Sequence, residues 1–237
     1  NFVLSENQIL KGNFNLTSNF LNINEFIPTI TYETDEEAEK TEVSGVVEIP
    51  TNLNVAIQTN AAKTKYDDVT IENLRGNILI KNGTLQLSNG TLDIIGATAK
   101  MDAFYKNEGT QKAYFDYKIN ASEFDIKRAY NEIKMFREIV TAAESAEGIV
   151  GLNYSIKGVL NNQMEPIMPS LEGSGILSVK KVKMKGFKLL NVVSSKTENP
   201  DIKDPDISKV DIKTTIKKNS VTIERFKFKV AGFRLRF

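Results

Sequence analysis

The stretch Ile78-Leu79-Ile80-Lys81-Asn82-Gly83-Thr84-Leu85-Gln86-Leu87 decides the fold class. Ile78 and Ile80 alternate with other residues on one side, and Leu85 and Leu87 do the same on the other. Asn-Gly stands between them. Both residues tolerate the positive φ angles of a two-residue hairpin turn, so this reads as two antiparallel strands.

The same period of two extends outward. Upstream, Leu53, Val55, Ile57 and Thr59 alternate with polar residues or Ala. Downstream, Asn89-Gly90 repeats the turn signal before Leu92 and Ile94. A strand carrying Thr98, Lys100, Asp102 and Phe104 follows Gly96. Asn107-Glu108-Gly109 then turns the chain into Phe115, Tyr117 and Ile119. Later strands centre on Leu152-Tyr154-Ile156, on Ile176 to Val182, and on Val210-Ile212-Thr214-Ile216. Asn219-Ser220 leads to Val221-Ile223, which runs into Phe226-Phe228-Val230, and Phe233-Leu235-Phe237 closes the chain. β-Branched and aromatic residues recur throughout, as a pleated, half-buried surface favours.

One segment breaks the period and predicts a helix over about 123–147. Ser122 is placed to cap it and Asp125 to return the bond. Tyr130, Ile133, Phe136 with Arg137, and Val140 form a stripe at helical spacing, and Gly148 is the stop signal. A short second helix is predicted over about 186–194. Residues 33–42, with six acids and one Lys, and the polar, Pro-containing residues 194–206 read as exposed loops. The stretch Phe14 to Phe26 echoes Phe115 to Ile126, which suggests two related modules at about 9–105 and 113–237 in one elongated domain. Chance likeness of amphipathic strands is the alternative.

Composition narrows the chemistry. The 237 residues include 31 Lys plus Arg, 30 Asp plus Glu, and no His, Cys or Trp. Thiol nucleophiles, thiolate metal sites, disulfides and the usual neutral-pH proton shuttle are excluded. A net charge of +1 gives no global pull toward nucleic acid. Asp67-Asp68 reads as a turn before a strand. Asp201, Asp204 and Asp206 lack the spacing of a calcium loop. Glu172-Gly173-Ser174-Gly175 lacks the rest of a phosphate loop, and its glycines let strands approach or bend. Ser174 has no His to activate it. The reading is therefore not an enzyme, with no catalytic residue, metal or cofactor.

Two surfaces remain. Lys213, Lys217, Arg225, Lys227, Lys229, Arg234 and Arg236 form a basic face on the last strands, opposite Phe and Leu. This is a solvated outer face, or one that meets anionic headgroups or an acidic partner. The inward residues Leu53, Val55, Ile57, Ile78, Ile80, Leu85, Leu87, Phe115, Tyr117, Ile119, Leu152, Tyr154 and Ile156 line either a packed sandwich or an open apolar groove. Periodicity is the same for both.

The stretch from Val55 to about Val193 resembles the C-terminal region of the AsmA family. The resemblance rests on Ile57 to Tyr66 with Val69 to Gly76, then on the Ile78 to Leu87 hairpin. Phe115 to Ile119 running into Ala121-Ser122-Glu123-Phe124-Asp125-Ile126 carries it further, and Leu171 to Val179 with Gly186 repeats the unit. Ser88-Asn89-Gly90 departs from the family pattern. The resemblance implies a mainly β fold: a long, curved antiparallel meander with an open groove. It implies a non-enzymatic periplasmic domain of a Gram-negative envelope protein, anchored upstream in the inner rather than the outer membrane. Such a domain binds or passes phospholipid, or another acyl-chain ligand, in outer-membrane biogenesis. A structural domain with a packed core and an envelope protein partner is the alternative. The expected partners include no nucleic acid.

Overall fold

A computed structural model describes residues 2–4, 9–26, 29–31, 42–66, 68–186, 188–230 and 233–236. The fold is mainly β. The strands in chain order are β1 (Phe2–Leu4), β2 (Leu10–Ser18), β3 (Leu21–Asn22), β4 (Thr29–Thr31), β5 (Glu42–Ser44), β6 (Leu53–Tyr66), β7 (Val69–Lys81), β8 (Thr84–Ile94), β9 (Ala97–Glu108), β10 (Lys112–Asp125), β11 (Ala146–Leu160), β12 (Glu172–Met184), β13 (Asp206–Lys217), β14 (Ser220–Ile223), β15 (Lys227–Val230) and β16 (Phe233–Arg236). The helices are α1 (Ile126–Glu132), α2 (Lys134–Ile139) and α3 (Lys188–Thr197).

One open twelve-stranded sheet dominates, in the order β1-β2-β6-β7-β8-β9-β10-β11-β12-β13-β14, with β3 beside β6. From β6 to β14 it is an antiparallel meander. The expected purely antiparallel pattern fails at one strand: β2 and β3 both run parallel to β6. A parallel pair needs a long return connection, and the chain between β2 and β6 supplies it. β4–β5 and β15–β16 form two small separate hairpins. The last strands therefore do not extend the sheet as the sequence suggests.

The Asn82-Gly83 hairpin forms as read, with φ of 52° and 71°. Asn89-Gly90 is not a turn. It lies inside β8, where the register slips between Leu87 and Gly90. Asn89 adopts φ 52°, so the left-handed tolerance read as a turn serves a bulge instead. The turn falls later, at Ile95-Gly96. β9 also has the opposite parity to the expected one: Ala97, Ala99 and Tyr105 are buried, while Lys100 and Asp102 are exposed.

The predicted helix over 123–147 is three pieces. Residues 123–125 end β10. Asp125, not Ser122, is the cap, and its Oδ1 accepts from the Arg128 amide at 2.9 Å. α1 stops where Ile133 is extended, α2 follows, and a 3-10 turn at Thr141–Ser145 leads into β11. Gly148 lies within β11. Ile133, Phe136 and Val140 pack on one core cluster while Ile139 packs on the other. The break lets α2 straddle both, which a straight helix with one stripe could not do. The second helix runs later than expected, and its end plus a 3-10 turn at Pro200–Ile202 replace much of the loop read over 194–206. The acidic run 33–42 lies outside the described residues except for Glu42.

All buried side chains gather on one face of the sheet. The first cluster joins Leu92, Ala99, Ala121, Phe124, Val150 and Val210 to Ala129 and Leu190 of the helices. Alanines on both sides, at Ala99, Ala121, Ala129, Ala143 and Ala146, let α1 and the 3-10 turn approach closely. The second cluster joins Tyr105, Phe115 and Ile156 to Val46, Ile49 and Leu171, from the segments before β6 and after β11.

Candidate functional site

The register shows what the apolar face is made of. One row runs Phe14, Ile57, Ile78, Leu87, Ala103, Tyr117, Ile156, Gly173, Ile216, Val221 across ten strands. The adjacent row runs Val55, Ile80, Leu85, Tyr105, Phe115. Side chains directly opposite in a ladder share a face. All thirteen groove residues read from the sequence therefore lie on this one face.

They do not all line accessible space. Val55, Phe115 and Ile156 are at most 6% exposed and belong to the core. Ile80, Leu85, Tyr117 and Tyr154 pack beside the second cluster, and Ile119 and Leu152 beside the first. Leu53, Ile57, Ile78 and Leu87 are half-buried and belong to neither cluster. So the face is filled at its two ends, by the helices and by the segments around Val46 and Leu171, and between them a half-buried apolar floor crosses β6, β7 and β8. Phe14 and Leu16 extend it onto β2.

Three phenols mark one part of this face. Tyr105 Oη donates to the Val47 carbonyl at 2.7 Å. Burial pushes the Tyr105 hydroxyl up, and so do the neighbouring phenols of Tyr117 and Tyr66. Burial and Tyr66 push Tyr117 up in the same way. Tyr66 lies eleven residues beyond Val55 on β6, and Val55 shares a ladder row with Tyr105. On a flat sheet that is roughly 36 Å along the strands. Tyr66 nonetheless adds to the upward push on both phenols. Tyr117 keeps accessible surface, yet protein atoms strongly desolvate its hydroxyl. Its ring sits 4.8 Å from that of Phe115.

Tyr154 closes the face next to β12. Its ring lies over the backbone of Gly173 and Gly175, within 3.1 Å of where a Gly173 Cβ would sit, and its hydroxyl is 3.1 Å from Thr214 Oγ1. The glycines of the Glu172-Gly173-Ser174-Gly175 stretch thus admit an aromatic ring, the close approach read from sequence. On β6, Thr59 and Thr64 are buried on the apolar side, and their hydroxyls have no partner among the described residues.

The opposite face is polar. Two clefts open on it, of about 660 Å³ beside Asn15, Gln58, Arg75 and Asn77, and about 410 Å³ beside Asn89, Asp102, Lys118 and Asn120. A third, of about 740 Å³, lies beside Glu144, Glu147 and Lys185. Of the thirteen groove residues only Ile119 borders any of these three. Near the bulges, Thr98 and Asn73 donate to Asp93 and hold its carboxyl below the ordinary range.

No family model, curated protein or solved structure matches this chain.

Among the described residues, no group of three or more acidic side chains is placed to hold a metal ion, and no helix is long and apolar enough to cross a membrane. Asp204 accepts from the Gly186 amide at 2.9 Å. Lys213, Lys217, Arg225 and Lys227 are exposed, and Lys213 pairs with Glu224 at 3.9 Å. Lys229, Arg234 and Arg236 fall on β15–β16, where only the backbone is described. Sequence reading missed Phe14, Leu16, Tyr66 and Tyr105 as members of the apolar face. The alternation of Phe14 and Leu16 is plain in the sequence. Tyr105 was hidden because its strand-mates Ala97, Ala99 and Ala103 are too small to signal parity.

Proposed function

We propose that this chain is a non-enzymatic, periplasmic, AsmA-like domain that binds or passes lipid along the apolar face of its sheet. The observation that carries the reading is the floor formed by Ile57, Ile78 and Leu87, apolar, half-buried and part of neither core cluster. A row of apolar side chains left partly accessible beside a filled core suits a ligand that completes its cover. Acyl chains fit an open apolar strip with filled ends. The sequence supports the absence of chemistry, having neither His nor Cys. The AsmA resemblance supplies the periplasmic setting and the upstream inner-membrane anchor as part of the same proposal.

A photoactivatable diazirine fatty acid tests it. Adducts are expected on β6–β8 at or beside Ile57, Ile78 and Leu87. Adducts confined to the polar face would contradict the reading.

A second reading rests on the sheet edge. Val221 and Ile223 of β14 carry the apolar face to its rim at 46% and 48% exposure. An edge strand of this kind pairs with a neighbour. Sedimentation should then show self-association that Val221→Lys removes. A monomeric wild-type chain would count against this reading.

A further inference from the structure

The polar face carries a band of side chains that a merely wetted surface does not need. In one ladder row Asn60, Arg75, Thr91, Lys100, Asn120 and Asn153 stand opposite one another from β6 to β11. The neighbouring row sets Asn15, Gln58 and Asn77 side by side on β2, β6 and β7. The amides of both rows are exposed. Asn is disfavoured in strands, and Thr would suit a wetted strand surface better. Local preference broken on several strands at once marks a surface shaped by more than folding.

The first row also joins the two clefts of this face. Asn60 and Arg75 border the larger cleft, and Thr91, Lys100, Asn120 and Asn153 border the smaller. Arg75 and Thr91, one from each, are ladder partners. The clefts are thus consecutive on one line across six strands, roughly 24 Å at about 4.8 Å per strand. Charge along this line is unbalanced. Arg75, Lys100 and Lys118 border the clefts and enter no ion pair among the described residues. Among those residues the one carboxylate bordering the clefts is Asp102, whose Oδ1 accepts from the Asn89 amide at 3.0 Å. Asp93, near Arg75, is engaged by Thr98 and Asn73.

We propose that this line is a binding track for an extended acidic polysaccharide, laid across the strands at one sugar per strand. The strand spacing is close to the length of one sugar ring in an extended chain. Each side-chain amide offers both donors and an acceptor, which matches a sugar hydroxyl, itself donor and acceptor. Arg75, Lys100 and Lys118 match the carboxylates of uronate units, and the guanidinium can take one bidentately. No aromatic ring borders either cleft among the described residues. Hydrogen bonding and charge, not stacking, therefore carry the recognition, which disfavours nucleic acid. An acidic peptide would use the cations but give the amide rows no role. The track lies on the face opposite the acyl-chain floor, so it stands or falls independently of that reading.

The test is calorimetric titration of the purified chain with three probes: hexagalacturonate, the neutral maltohexaose and the acidic peptide hexaglutamate. Wild type should bind hexagalacturonate about tenfold or more tighter than either of the others. A double variant, Asn60→Thr with Asn120→Thr, removes two amides and keeps every charge. Thr favours strands, so thermal unfolding should show no loss of stability. The variant should bind hexagalacturonate about tenfold more weakly, the size of one or two hydrogen bonds. Its hexaglutamate affinity should equal that of wild type. Equal wild-type affinity for hexaglutamate and hexagalacturonate would mean a plain cationic surface that takes acidic peptides, and would overturn the proposal. So would equal affinity for maltohexaose, no binding of hexagalacturonate, or an undiminished affinity for it in the folded double variant.

Discussion

A Cβ at Gly175 would collide with the Asn153 carbonyl oxygen and with the Tyr154 ring. The neighbour in conflict includes fixed ladder backbone, so the strand itself would have to move. Gly175→Ala is expected to lower unfolding free energy by about 1–3 kcal/mol, read from denaturant midpoints. Asp125→Ala removes the cap of α1 and should cost about 1 kcal/mol by the same assay. The buried phenols set a pH limit. Tyr105 and Tyr117 are raised above the ordinary tyrosine value of 10.0. Above that value the unfolded chain releases phenolic protons that the native state still holds. Stability is therefore complete below pH 10 and falls as pH rises beyond it. Absorbance at 295 nm should show at least two of the seven tyrosines ionising only as circular dichroism reports unfolding. Full ionisation near pH 10 with the fold intact would contradict the buried placement.

At the scale of elements, α1 and α2 are held to the sheet by a few apolar side chains. Phe136 meets Phe124 edge to face at 6.0 Å. Phe136→Ala should destabilise by about 2 kcal/mol, below the 3–5 typical of a fully buried Phe because Phe136 is half-exposed. Hydrogen exchange should speed up over α1 and α2 while β9–β11 stay protected; uniform loss across the sheet would mean that the helices are integral to it. These helices also show where sequence reading stops. The strands were legible because alternation is a local signal, and Asn82-Gly83 fixed one hairpin outright. The break at Ile133 carries neither Pro nor Gly. It follows from two separate clusters drawing on neighbouring residues, which no local pattern records. Asn89-Gly90 misled for a related reason. Asn in the left-handed region serves turn and bulge alike, and only the partner strand decides which.

Across the whole molecule, one face of a twelve-stranded sheet is apolar from Phe14 on β2 to Val221 on β14. Most of the floor was readable in the sequence, since alternation assigns residues to a face. Which of them are core and which accessible was not, because that depends on the segments around Val46 and Leu171 and on the helices. Native mass spectrometry of the wild-type chain and of Ile78→Asp, with lipid extraction of both, tests the central claim most directly. Ile78 is half-buried, keeps some solvent access and lies outside both clusters, so a carboxylate there can turn to water, and circular dichroism checks that the fold survives. The account predicts acyl lipid bound to wild type and at least tenfold less bound to a folded Ile78→Asp chain, since a charge on an apolar strip costs well over 1.4 kcal/mol when a chain covers it. Equal lipid on both folded proteins, or none on wild type, would contradict it.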